Sequence, residues 1–161
     1  MDADKKTCLN FFLLSAFICG YIVLQMNADG FKYKEITDII LKSFYEVYNE
    51  LGDGFLESVY ENALYIVLAE YGLHVERQKD ISVLFRGNNI GDFRTDLIVD
   101  EKVIVEIKAI RNLDPVHEAQ VLNYLKATNI EVGLLLNFGR KPEFKRLVYD
   151  SKRKKSALIC G

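Results

Sequence analysis

The sequence predicts an α/β fold in which a mixed central β-sheet carries helices, and three observations predict it. Two segments with apolar residues at helical period come first, over residues 35–51 and 55–71. A block of apolar, β-branched runs follows between residues 73 and 110. A third helical segment, opened by Asp114-Pro115, then leads into the apolar run "IEVGLLLNF" at 130–138. Strands on both sides of a connecting helix imply a crossover and hence a mixed sheet.

The first helix is predicted from Ile36, Ile39, Ile40, Phe44, Val47 and Leu51, one stripe at a 3.6-residue period. "LGDG" at 51–54 breaks it with turn chemistry. "FLESVYENALYIVLAEY" forms the second helix, ended by Gly72 in the C′ role. Strands are expected at about 73–79, 81–86, 92–99 and 103–110, the middle pair separated by "GNNIG". Asp114 and Pro115 suit the N-cap and N1 positions of a third helix running to about Thr128. "IEVGLLLNF" is a buried strand, and "KPEFKRLVYD" at 141–150 is expected to be a last helix, with proline near its start. The expected order is α-α-β-β-β-β-α-β-α.

With 161 residues the chain has room for one domain with a real core. The net charge of −2 does not by itself favour nucleic acid, but the charge is uneven. From Arg140 onward there are eight Lys or Arg against Glu143 and Asp150, a local balance of +6 that leaves −8 on the rest. This basic segment, 151–155 "SKRKK" included, could touch phosphates or be a solvated tail. Cys8, Cys19 and Cys160 have neither paired nor metal-ligand spacing, so a reducing compartment and a cytoplasmic location are expected. Residues 1–28 stand apart from a domain at 29–161: no charge falls between Lys6 and Asp29, and "FFLLSAFICGYIVL" is a 14-residue apolar run. It reads either as a membrane anchor or as sequence upstream of a true start at Met26. Secretion is disfavoured by bulky Met26 three residues before a cut after Ala28. Membrane contact is expected only if residues 9–26 form a real anchor.

The chemistry concentrates in "DFRTDLIVDEKVIVEIKAI", residues 92–110. The second strand of this hairpin is apolar except for Glu106 and Lys108, which lie two apart and so leave the sheet on one side. If the loop is Asp100-Glu101-Lys102, then Val99 faces Val103 and Asp96 falls opposite Glu106; a two-residue loop would put Asp96 opposite Val105. In the first register Asp96, Glu106 and Lys108 converge. Two carboxylates that close repel each other, and a hard cation such as Mg²⁺ removes the conflict. Lys108 beside them could orient a water or stabilise charge developing on a phosphate.

The helices add candidates. Glu57, Tyr60, Leu64 and Leu68 share a stripe of the second helix, which puts a carboxylate on a packing face. His117, Gln120 and Tyr124 share a stripe of the third. There Gln120 could bind a phosphate or a metal-bound water, and Tyr124 could stack or hydrogen-bond, while His117 suits a first-turn polar role. Each residue alone has an ordinary structural explanation, such as a surface ion pair for E-x-K or a first-turn acid for Glu57. The case rests on their convergence.

Asp96 and Glu106-Ile107-Lys108 on adjacent strands, within an α-β-β-β-α-β order, resemble the PD-(D/E)XK nuclease superfamily, which has a restriction-endonuclease-like core. "GFLESVY" at 54–60 resembles the signature of its GxxExxY group, as do "IGDFRTDLIVD", "PVHEAQVLNYLKAT" and "VGLLLNFG". The likeness covers roughly residues 35–150. Thr95 stands where the superfamily often has proline, at a loosely kept position. The resemblance implies hydrolysis of phosphodiester bonds in nucleic acid by in-line attack of metal-bound water; it leaves DNA against RNA open, and DNA is the substrate expected ahead of RNA. It implies Asp96, Glu106 and Glu57 as ligands of Mg²⁺ or Mn²⁺, and Lys108 as the residue that positions or activates the water. Gln120 and Tyr124 match a Q-x-x-x-Y element that lies near the metal and the nucleic acid. Further phosphate contacts are expected from Arg94, Lys126, Arg86 and the C-terminal cluster. The rival reading is a nuclease-like domain that binds nucleic acid or a protein without doing chemistry.

Overall fold

In the computed structural model residues 32–150 are described. The expectations for the apolar segment 1–28 and for the basic run 151–155 fall outside them. Two helices, α1 (Lys34–Leu51) and α2 (Glu57–Glu70), precede three strands, β1 (Val75–Phe85), β2 (Asn88–Val99) and β3 (Val103–Lys108). Helix α3 (Pro115–Ala127) then leads to β4 (Val132–Asn137) and β5 (Glu143–Val148). The strands form one open sheet in the order β1-β2-β3-β4-β5. Only β3 and β4 are parallel, because α3 carries the chain back between them. This is the mixed sheet with flanking helices that the sequence predicts, a restriction-endonuclease-like α/β core. No helix among the described residues is long and apolar enough to cross a membrane.

Three local expectations are corrected. The runs at 73–79 and 81–86 are one strand. The "GNNIG" segment is not a loop: β2 begins at Asn88, and the hairpin turns at Arg86 and Gly87, both with positive φ as a two-residue primed turn requires. The segment expected as a last helix is β5, paired antiparallel to β4 from Val132↔Val148 to Asn137↔Glu143. Its short pattern fits either period. The deciding influence is non-local, since fully buried β4 offers an open edge of backbone groups.

The sheet buries both faces. On one, Ile81, Ile98, Ile104 and Leu135 pack with Val121, Tyr124 and Leu125 of α3. The helix lies close because residue 133 is glycine: a Cβ there would come within 2.5 Å of Val121 Cγ1. On the other face Phe138, just past β4, stacks on Tyr60 of α2 at 4.2 Å and meets Phe44 of α1 edge-on at 4.7 Å. All three rings are buried. Truncating any of them to alanine costs about 3–5 kcal/mol.

Candidate functional site

The β2–β3 hairpin closes through Asp100-Glu101-Lys102, with Lys102 N–H donating to Val99 O. The register Val99↔Val103, Ile98↔Ile104, Leu97↔Val105 is the one that brings Asp96 to the level of Glu106. The ladder ends there. Beyond it the Ile107 N–H donates at 2.7 Å to Asp96 Oδ2, so a side-chain carboxylate stands where a backbone acceptor would be. On the other side of Asp96 the β1–β2 pairing skips Gln78, whose φ is +50°. Glu76 pairs with Ile98, and Ile81 lies an odd five residues further on, yet Ile81 and Ile98 join one cluster. Ideal alternation would send them to opposite faces. Phe93, the β2 partner of Ile81, changes face with it, since it packs on Tyr124; the left-handed Gln78 lies within this break in regularity, of the kind found beside functional sites.

Glu106 is 3% exposed and lies on the same face of the sheet as Asp96 and Lys108. Lys108 Nζ donates to its Oε1 at 2.7 Å, while Oε2 is buried without a hydrogen-bond partner. Burial, and next the charge of Asp96, push the Glu106 carboxyl up to about 7. Burial also raises Asp96, against the pull of the Ile107 N–H and Lys108. For Lys108 burial opposes the charge, but the bond to Glu106 and the carboxylates of Glu106, Glu57 and Asp96 outweigh it and hold the ammonium protonated. Lys108 stands here as a protonated donor to Glu106. The end of β3 is clamped from β4: buried Asn137 exchanges two hydrogen bonds with the Ile110 backbone, and Phe138 N–H donates to Lys108 O. Gly139 permits that approach, since a Cβ there would lie 2.0 Å from Ile110 O.

Glu57 opens α2 at the end of a turn locked by Tyr60, whose hydroxyl accepts from Phe55 N–H and donates to Gly52 O. Its Oε1 accepts a long hydrogen bond from Ala109 N–H at 3.4 Å, just past Lys108. Glu57 is exposed, not on the packing face expected for it. The acid on that face is Glu61, which the sequence analysis missed although it too stands three and seven residues before Leu64 and Leu68. It is 5% exposed and fully engaged: Arg77 Nε binds Oε1 at 3.1 Å and Gln78 Nε2 binds Oε2 at 2.6 Å. Among the described residues no group of three or more His, Cys, Asp or Glu stands ready to hold a metal. Asp96 and Glu106 are a pair, with Glu57 at the rim.

On α3, Gln120 Nε2 donates to Tyr124 Oη at 2.5 Å, and Tyr124 donates to Arg94 O at 3.2 Å, two residues from Asp96. Burial raises the Tyr124 hydroxyl, which also feels Glu106 and Asp96. Its ring is only 3% exposed and packs on Phe93 at 5.5 Å, so the aromatic face open to solvent here is that of Phe93. His117 caps the helix, Nδ1 accepting from Asp114 N–H in a capping box. The Arg94 guanidinium is engaged by Asp80 through two hydrogen bonds, Arg86 sits at the hairpin tip over Phe85, and Lys126 is exposed. The structure thus brings Asp96, Glu106 and Lys108 together, with Tyr124 and Gln120 behind them. It leaves Arg94, Arg86 and Lys126 further out.

The donor set fits a hard cation. An unpartnered buried carboxylate oxygen and a neighbouring carboxylate are what a cation with oxygen ligands requires. No curated protein matches the chain. Among solved structures, one described as the crystal structure of SSO0001 aligns with a TM-score of 0.48 at 17% identity, covering 78% of this chain and 67% of that chain. At that level the likeness carries nothing about the site. The family comparison is of another order: the model of the PD-(D/E)XK nuclease superfamily matches residues 34–147, from the first residue of α1 into β5. On that match the chain belongs to the PD-(D/E)XK nuclease superfamily.

Proposed function

We propose that the chain is a Mg²⁺- or Mn²⁺-dependent nuclease of the GxxExxY group, hydrolysing phosphodiester bonds of nucleic acid, with DNA the favoured substrate. One observation carries this: Glu106 Oε2 is buried with no partner, while its twin is held by Lys108. A buried carboxylate oxygen left bare costs about 1–3 kcal/mol or more, and persists where something else is meant to fill it. Asp96 and Glu106 would hold the cation, with Glu57 reaching in from the rim. When bound, the cation would neutralise the carboxylates, stabilise charge on phosphate oxygens and make a water more acidic. Lys108, protonated and held beside Glu106, would hydrogen-bond the attacking water or a phosphate oxygen. Asp96 is preset by Ile107 N–H, and Tyr124 with Gln120 supports the wall behind. The segment Gly54-Phe55-Leu56-Glu57-Ser58-Val59-Tyr60 supports the group assignment, and its tyrosine has a physical role in locking the turn that presents Glu57.

The test is cleavage of single- and double-stranded DNA and RNA by the whole chain in Mg²⁺, in Mn²⁺ and in EDTA. Glu106→Gln and Lys108→Ala, checked for intact folding, run beside it. Metal-dependent cleavage that both substitutions abolish establishes the nuclease. A folded protein that binds nucleic acid but cuts none of these substrates would instead be a binding module.

A further inference from the structure

An open pocket of about 450 Å³ lies between the β1–β2 hairpin and the C-terminal half of α3. Its walls are Val83, Leu84 and the Phe93 ring on the hairpin, and Asn123, Lys126 and Ala127 on the helix. The size falls in the range of small-molecule sites. Its chemistry is specific. Phe93 is 37% exposed and brings an aromatic ring to the pocket wall. Asn123 is exposed and has an amide able to donate and accept at once, as a base edge requires. Lys126, also exposed, supplies a cation one helical turn on, and among the described residues no carboxylate lies within ion-pair distance of it. Nearby Arg94 already has its acid in Asp80.

The pocket is coupled to the carboxylates by a short path. The Phe93 ring touches the Tyr124 ring, and Tyr124 Oη binds the Arg94 backbone two residues from Asp96. We propose that this pocket is a subsite for one unpaired nucleoside of a single-stranded nucleic acid, adjoining the phosphodiester presented to Asp96 and Glu106. The base stacks on Phe93 against the Leu84 wall, its edge meets Asn123, and the neighbouring phosphate meets Lys126. A base inside a duplex cannot enter such a pocket without leaving its stack, so the site selects unpaired strands. The inference rests on the nuclease reading and names its substrate class.

The experiment is binding of fluorescein-labelled 12-nucleotide single-stranded DNA, single-stranded RNA and the corresponding DNA duplex to the whole chain in EDTA, over a range of salt. Wild-type protein should prefer the single strands to the duplex by about tenfold or more, the scale of one stacked base. Which single strand wins assigns the sugar. Phe93→Ala should remove about that factor for single strands and leave the duplex unchanged. Lys126→Ala should lower the slope of log affinity against log salt by about one. Asn123→Ala should flatten preference among strands differing in one base. Asn123 and Lys126 are exposed, so their variants keep the test valid even if Phe93→Ala fails to fold.

Equal affinity for duplex and single strand, or wild-type binding in the Asn123 and Lys126 variants, overturns the subsite. If cleavage in Mg²⁺ persists under that result, the nuclease reading stands without it. If pocket variants weaken binding but no substrate is ever cut, the subsite stands and the nuclease reading falls. No binding to any strand overturns the subsite outright.

Discussion

Two glutamates are the buried charged residues of the described chain, and they are buried in opposite ways. Glu61 on α2 has both oxygens taken, one by Arg77 and one by Gln78. Glu106 on β3 has one oxygen on Lys108 and one on nothing, with Asp96 close enough to raise its carboxyl further. A satisfied buried acid braces the fold: Glu61 ties α2 to β1 and holds the left-handed residue where strand alternation switches. An acid left half-satisfied beside a like charge adds strain to the apo protein, and a fold retains that where a ligand or a reaction makes use of it. Burial alone does not separate the two residues; the partner count does.

The largest effect expected from this contrast is on chemistry. Lys108→Ala should lower cleavage by about 100- to 1000-fold, the usual loss when one preorganised donor to developing charge is removed. Glu106→Gln should abolish turnover while the melting temperature stays level or rises, because a neutral amide removes the repulsion from Asp96. A large fall in melting temperature would make Glu106 a brace like Glu61 and break the comparison. Next is pH. With the Glu106 carboxyl near 7 in the fold and near 4.5 unfolded, the folded state binds more protons in between. In EDTA the contribution of Glu106 to stability is therefore fully present below about 4.5 and is lost as pH rises through about 7. The total is on the order of 3 kcal/mol, and raised Asp96 adds in the same direction. Denaturant melts across that range should show the slope in wild type and lose most of it in Glu106→Gln.

Glu61→Leu should cost about 2 kcal/mol in a denaturant titration, since Gln78 loses its acceptor and Arg77 its counter-charge. Arg77 is partly exposed, which keeps the cost below that of a fully buried pair. Cleavage by the folded fraction should survive. Gln78 gives the smallest and sharpest test. Gln78→Ala should cost about 1 kcal/mol for the hydrogen bond. Gln78→Gly should recover most of it, since glycine accepts φ +50° without the steric penalty, roughly 1 kcal/mol, that other residues meet there. Equal losses in the two variants would show that the left-handed conformation is not under strain.

The helical stripe of α1 and the Asp114-Pro115 start of α3 were legible in the chain, because each is set by neighbours a few residues away. The chain allowed two hairpin registers, set by a loop of three residues or of two, and only the structure chooses the one that brings Asp96 to the level of Glu106. Glu57 was misplaced for an instructive reason. Periodicity names a stripe, but Glu57 stands in the first turn, where α2 has not yet met the sheet, while Glu61 one turn on has. Of the two roles open to Tyr124, stacking or hydrogen bonding, the structure shows the hydrogen bonds of a buried ring; packing left Phe93 in the open, a residue whose neighbourhood forms only when the hairpin folds against α3. The segment 141–150 became a strand because β4 had an edge to pair.

What the sequence determined by itself is therefore which residues share a face: a period of 3.6 or 2 is a property of the local backbone. What only the tertiary structure decided is which charged side chain is buried, which partner it meets and which of its atoms is left bare. Desolvation and hydrogen-bond partnership depend on segments distant in the chain, and at Glu106 they act together.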